Sequence, residues 1–210
     1  FDGAKHPVNY TLSLGTGSVT PLQMAGAYSV FANGGYQINP YLIQKVVDTR
    51  GVVLFEAKPP AVAQDADRVL DARNAFVTTS LLHEVTVSGT AAATQKLGRS
   101  DLAGKTGTSS DAVDGWFAGF AGPVTAVAWM GYDEPQSLGG REFGATLALP
   151  IWTDFMASAL KGKPSYTMAQ PAGVSQQQGD WVYDEFQGLA AKPAIDMDLL
   201  DRLKSLFGAP

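Results

Sequence analysis

Residues 102–108, 116–121 and 124–130 read as three consecutive strands, and this run constrains the fold more than any other feature of the chain. Helical patterns lie on both sides of it in sequence, with no repeating strand–helix alternation. The arrangement predicts an α+β fold in which an antiparallel sheet is covered by helices. The 102–108 strand is expected at an open edge, with a helix opened by Pro150 over one face.

The helices carry their own start and stop signals. In TPLQMAGAYSVFANGG, Thr20 can cap, Pro21 suits the first helical position and Gln23 completes a capping box. Met24, Ala27, Tyr28 and Phe31 form a stripe, and Asn33-Gly34-Gly35 ends it. LIQKVVDTRGVVLF, residues 42–55, reads as a hairpin about Asp48-Thr49-Arg50-Gly51, and a polar Pro- and Ala-rich link follows from Ala57 to about Asp67. ARNAFVTTSLLHEV after Asp71 is a second helix with Ala72, Ala75, Phe76, Thr79 and Leu82 on one side. Its β-branched content means that packing must hold it, and Ser88-Gly89-Thr90 breaks it. The helix IWTDFMASALKG turns Trp152, Phe155, Met156 and Ala159 inward and takes Gly162 as its cap. Tyr28, Trp152 and Phe155 are expected in the core. Residues 1–162 form one body by this reading, and 163–210 form a tail. PSYTMAQPAGVSQQQGDW should run extended over the surface, and AIDMDLLDRLKSLF should make a short terminal amphipathic helix through Leu199, Leu200, Leu203, Leu206 and Phe207.

Composition excludes several classes. With 210 residues, 45% hydrophobic, the chain can bury one sizeable core. Fifteen basic against 20 acidic residues leave a formal charge of −5, which gives no electrostatic reason to expect nucleic acid as a partner. The absence of Cys rules out disulfides and thiolate metal sites, and the two His, His6 and His83, lie far apart, so neither a metal nor a His general base is expected. The apolar stretch Trp116–Tyr132 is broken by Gly119, Gly122 and Pro123 and is too short for a membrane segment. A chain that opens at Phe1 is expected to be a piece of something longer.

The chemistry concentrates in DLAGKTGTSSDAVDGWFAGF, residues 101–120. A phosphate loop requires G-x-x-x-x-G-K-[ST] opening a helix. Here Arg99 stands where the first glycine belongs, Gly98 misses the register by one, and Gly107, Ser109, Ser110 and Gly115 make poor helix. As a strand, alternation sets Thr106 and Thr108 on one side and Lys105 on the other. At a sheet edge these side chains can converge, and Gly107 leaves room for an extended ligand. Hydroxyls and a cation suit a carboxylate, and a free edge suits a peptide added as a strand. From the residues alone, an ordinary hairpin strand with a solvated lysine remains the other reading.

Lys105-Thr106-Gly107-Thr108 resembles the K-T-G motif of penicillin-binding proteins and serine β-lactamases. Together with GTGSVTPLQMAGAYSVFANGG, NPYLI, SGTAA, DGWFAGF, GGREFG and LPIW, it makes the chain similar to the transpeptidase domain of class A, bifunctional penicillin-binding proteins of the 1A type from Gram-negative bacteria. The likeness runs from about Leu12 to Pro164 and more weakly through Gly179-Asp180-Trp181. It implies a serine D,D-transpeptidase that cross-links peptidoglycan D-Ala-D-Ala stem peptides and is acylated by β-lactams. It implies no cofactor, and a parent with a glycosyltransferase domain, anchored at the periplasmic face of the inner membrane. By the same resemblance, Lys105 steadies the substrate carboxylate and polarises a second serine. Thr106 and Thr108 hydrogen-bond that carboxylate, the Thr108 amide is one oxyanion donor, and Gly107 keeps the edge open.

The chain departs from that pattern in one large respect. No S-x-N occurs, and the only S-x-x-K, Ser158-Ala159-Leu160-Lys161, follows the K-T-G stretch instead of preceding it. It falls in the last turn of the final helix, where the helix dipole favours a solvated lysine. The nucleophile, its lysine and half of the oxyanion hole are therefore expected upstream of Phe1. Asp111 and Asp114 either order the turn after the strand or only solvate it. Trp116 and Phe117 are expected as core and cleft wall, and Arg141-Glu142 as a segment near the site or a solvated ion pair. Two other functions stand beside the main one: a non-catalytic fragment that binds peptidoglycan peptide or a partner, and a serine β-lactamase.

Overall fold

The computed structural model describes residues 10–58, 68–140 and 142–188. The chain separates into two compact units, Phe1–Ala172 and Gly173–Pro210. The first is built on a three-stranded antiparallel sheet with β3 (Ala103–Thr108), β4 (Gly115–Ala121) and β5 (Val124–Met130) in that spatial order. These strands match the sequence reading to within a residue, and β3 has β4 on one side and no strand on the other among the described residues.

The register divides the sheet's two faces. Thr106 pairs with Phe117 and Phe117 with Ala128, so these point to one face; Lys105 pairs with Ala118 and points to the other. Helix α3 (Ala148–Ala159) covers the first face, with Trp152 against Phe117 at 4.8 Å and its indole N–H donating to the Ala126 carbonyl at 3.0 Å. Met156, Leu149, Leu102 and Ala121 complete that core. Helices α1 (Pro21–Ala32) and α2 (Ala72–Val87) also pack on the sheet, α2 along β3 and α1 along β4 and β5. At the end of α2, His83 Nδ1 and Thr86 Oγ1 bond the Leu102 carbonyl at 2.7 and 3.0 Å, which fixes where β3 starts.

Helix starts form where the sequence places them, whereas α3 ends at Leu160 as its C-cap and not at Gly162, which follows two residues later at φ 72°. Gln23 N–H donates to Thr20 Oγ1 at 3.2 Å, and Thr20 N–H to Gln23 Oε1 at 2.9 Å, the reciprocal capping box. Asp71 caps α2 by accepting from the Arg73 amide at 2.9 Å. β1 (Lys45–Val47) and β2 (Val53–Glu56) form the expected hairpin, whose turn is held by Asp48 accepting from the Arg50 and Val52 amides.

Several expectations are corrected. Phe155 is 53% exposed and not core. α3 starts at Ala148, two residues before Pro150, and its buried side is Leu149, Trp152, Thr153 and Met156. Thr153 can be buried because its hydroxyl bonds the Leu149 carbonyl at 2.7 Å. Tyr28 is half-buried, edge-on to Phe31 at 6.1 Å, and α1 has no fully buried residue. Burial still raises the Tyr28 phenol pKa.

The second unit holds a further hairpin, β6 (Val174–Gln177) and β7 (Asp180–Tyr183), where only extended chain was expected. Gln178 and Gly179, both at positive φ, make its two-residue turn. The proposed terminal helix, the 59–67 part of the link, and Arg141 lie outside the described residues. Among those described, no helix is long and apolar enough to cross a membrane.

Candidate active site

Lys105, Thr106, Gly107 and Thr108 fill the second half of the open edge strand β3. Lys105 is exposed in this chain. Its ammonium turns back along the strand, donating to the Thr106 carbonyl at 3.0 Å and reaching Thr106 Oγ1 at 3.3 Å. The opposite sides that alternation assigns to Lys105 and Thr106 are thus bridged by the length of the lysine stem. Thr106 Oγ1 also lies 2.8 Å from Thr90 Oγ1, delivered by the turn after α2. Thr108 Oγ1 accepts from the Gly144 amide at 3.0 Å. The result is one ammonium and a row of hydroxyls on an unpaired strand edge, a set that can hold a carboxylate and present backbone to a peptide.

The glycines also answer to packing. A Cβ on Gly107 would meet the Trp116 Cβ at 3.2 Å, so this glycine spares its cross-strand partner. Gly144 is tighter still: a Cβ there would fall 2.4 Å from the carbonyl oxygens of both Gly107 and Trp116. The 142–147 segment can lie against the β3–β4 pair only because residue 144 has no side chain. Sequence reading did not single out Gly144 or Thr90. The first was hidden inside GGREFG, and the second was read as part of a helix breaker and of the SGTAA segment.

The β3–β4 connection is ordered, and Asp114 orders it. Its carboxylate accepts from Trp129 Nε1 at 2.7 Å, its amide donates to Ser109 Oγ at 2.7 Å, and its carbonyl accepts from the Ser109 amide at 3.1 Å. Asp111 contributes through its backbone, its carbonyl accepting from Ser137 Oγ at 2.8 Å with φ at 59°. Trp116 is half-buried, 6.0 Å from Trp129, while Phe117 is fully buried.

Just before the start of β3 lies an ion pair that sequence reading missed. Arg99 grips Asp101 with two bonds of 2.8 and 2.7 Å, the side chains being 12% and 1% exposed. Asp101 Oδ2 also accepts from the Gly122 and Tyr166 amides, and Arg99 donates to the Lys163 and Pro164 carbonyls. One network therefore ties the start of β3, the β4–β5 turn and the chain after α3. Burial works against the Asp101 charge, but Arg99 and the two amides outweigh it and hold the carboxyl below the usual carboxylate range. Its charges are internally satisfied, so it supports the site without offering a ligand position. Ser158 is exposed in the last turn of α3, and Lys161 lies just beyond it.

An antiparallel sheet covered by helices is the architecture of the serine β-lactamase and penicillin-binding transpeptidase fold. The sequence model of the penicillin binding protein transpeptidase domain matches residues 7–157, and the chain belongs to that family. It is 41% identical to penicillin-binding protein 1A of Pseudomonas aeruginosa over 83% of this chain and 27% of that protein. It is 40% identical to penicillin-binding protein 1A of Neisseria lactamica over 94% of this chain and 25% of that protein. The crystal structure of penicillin-binding protein 1A from Haemophilus influenzae superposes with a TM-score of 0.76 at 30% identity, covering 87% of this chain and 34% of that one. The PonA1 protein of Mycobacterium tuberculosis in complex with penicillin V superposes with a TM-score of 0.63 at 27% identity, covering 89% and 48%. The chain spans about a quarter of the length of the curated relatives it matches.

Proposed function

We propose that this chain is the C-terminal part of a serine D,D-transpeptidase domain and supplies its carboxylate clamp and one oxyanion donor. The observation that carries this reading is Lys105-Thr106-Gly107-Thr108 on an unpaired strand edge, with both threonine hydroxyls fixed by partners. The nucleophilic serine, its lysine and the S-x-N serine belong to an upstream part of the longer protein. In the reaction the serine oxygen attacks the carbonyl before the terminal D-alanine. The bond to D-alanine breaks, D-alanine departs with a proton, and an amine from a neighbouring stem then displaces the serine. Lys105 balances the substrate's terminal carboxylate, Thr106 and Thr108 donate to it, and the Thr108 amide faces the oxygen where negative charge develops. A β-lactam enters the same site because its carboxylate and amide carbonyl mimic the stem terminus. The longer protein also carries a glycosyltransferase domain and works at the periplasmic face of the bacterial inner membrane. The family match and the length of the 1A relatives support this.

The test is acylation by a fluorescent penicillin. The longer protein should form an acyl-enzyme, and Lys105→Ala should slow its formation roughly tenfold to a hundredfold, the loss of a charge-assisted contact. The isolated chain should form no adduct in intact-mass spectra. An adduct on Ser158, or an unaffected Lys105→Ala protein, would overturn the assignment.

A further inference from the structure

We infer that Thr90 is a positioning residue for the carboxylate clamp, fixing Thr106 as a hydrogen-bond donor toward the anion. The inference rests on the proposed reading of β3 as that clamp. A hydroxyl has one proton and two lone pairs. An ammonium only donates, so Thr106 Oγ1 accepts from Lys105 where the two approach at 3.3 Å. Thr90 Oγ1 lies 2.8 Å from the same oxygen, and either hydroxyl of this pair can donate. When a carboxylate arrives, Thr106 can serve it only by giving its single proton outward. Thr90 must then be the donor of the pair. Both lone pairs of Thr106 are thereby satisfied, and its outward bond is polarised by two incoming ones. A threonine that turned its proton to Thr90 would show the anion only lone pairs, which repel it.

The position of Thr90 is set by structure around it, not by chance on a loose surface. Its neighbour Gly89 folds back over the last turn of α2 so closely that a Cβ there would fall 2.8 Å from Val85 Cα. On the other side, Ala91 is completely buried, and its amide donates to the Val85 carbonyl at 3.1 Å. Thr90 is held between these two anchors, and its exposed hydroxyl is carried across to β3. Truncating it disturbs no buried group.

The experiment uses the longer protein and two ligands, a penicillin with a free carboxylate and its methyl ester. Variants are Thr90→Val, Thr90→Ser, Thr106→Val and the double Thr90→Val/Thr106→Val. With the free acid, Thr90→Val should slow acylation about three- to tenfold, Thr90→Ser should stay within about twofold of wild type, and the double variant should be no slower than Thr106→Val alone. With the ester, the Thr90→Val deficit should vanish. If Thr106→Val slows the free acid but Thr90→Val does not, the inference fails while the clamp stands. If Thr90→Val slows acid and ester equally, its role is structural and the inference fails. If Thr106→Val itself changes nothing, the clamp reading fails and takes the inference with it.

Discussion

The two outer strands of the three-stranded sheet end it with opposite chemistry. β3 is Ala-Gly-Lys-Thr-Gly-Thr, with small residues, hydroxyls and a cation along its free side. β5 borders an apolar groove of about 500 Å³ between α1 and α3, lined by Ala25, Ala126, Trp129, Ile151, Trp152 and Phe155. A lysine and short polar side chains keep an edge soluble while leaving it open to a peptide, whereas an apolar edge invites cover. Ile151 and Phe155 are each about half-exposed on that groove, at 49% and 53%. The contrast teaches that an unpaired strand can be unpaired for two reasons. By the proposed function β3 is open for a ligand, and the chemistry of β5 fits chain packed against it in a protein several times longer.

If that division holds, substitutions should separate into those that cost stability and those that cost only acylation. The largest effect belongs to the shared core. Trp152→Ala removes the ring that seals Phe117 between the edges and should cost about 3–5 kcal/mol in urea unfolding. A cost under about 1 kcal/mol would mean that α3 does not hold the sheet together. Next comes the ion pair at the base of β3. Asp101→Asn leaves Arg99 buried without its partner charge and should cost about 3 kcal/mol. Because the folded-state pKa of Asp101 lies below its unfolded value, its contribution is present above about pH 4 and is lost as pH falls through the folded value. The variant's stability should therefore fall less steeply than wild type's in that acid range, as thermal melts at stepped pH would read. Lys105→Ala, on the ligand edge, should leave both measures unchanged while slowing acylation. An equal loss of stability would make Lys105 a structural residue and erase the contrast.

Much of this was legible in the sequence where local chemistry decides. Thr20, Pro21 and Gln23 specify a helix start within one turn, and the capping box formed as written. The three strands are punctuated by glycine and turn residues, and their bounds emerged within a residue. Phase along a helix was harder. The stripe through Trp152, Phe155 and Met156 is a valid helical face, but the earlier start at Ala148 brings in Leu149, and a threonine that bonds its own helix takes the place given to Phe155. The β6–β7 hairpin was missed because Ser175, Gln176 and Gln177 carry no strand preference; its signal is the Gln178-Gly179 turn. In the site, Lys105 to Thr108 were readable as a motif. Thr90 and Gly144 stood in the quoted segments SGTAA and GGREFG, but their places beside β3 did not show, since each reaches it only through tertiary folding, from 16 and 36 residues away in the chain.

The smallest effect is the one that most directly tests the β5 edge. Phe155 lies on the groove, half-exposed, with its backbone inside α3. In the isolated chain Phe155→Gln exchanges one solvated surface group for another and should change stability by no more than about 0.5 kcal/mol. It should also reduce self-association, because it breaks an exposed apolar patch. In the longer protein the same ring would be buried by whatever covers β5, and the substitution should cost about 1.5–3 kcal/mol, the value of burying a large apolar side chain. The informative quantity is the difference between the two measurements, with Lys105→Ala as the control that should be neutral in both. Equal costs for Phe155→Gln in the short and long forms would show that the groove stays open in both. β5 would then be a solvent edge like β3, and the distinction between a ligand edge and a packing edge would be withdrawn.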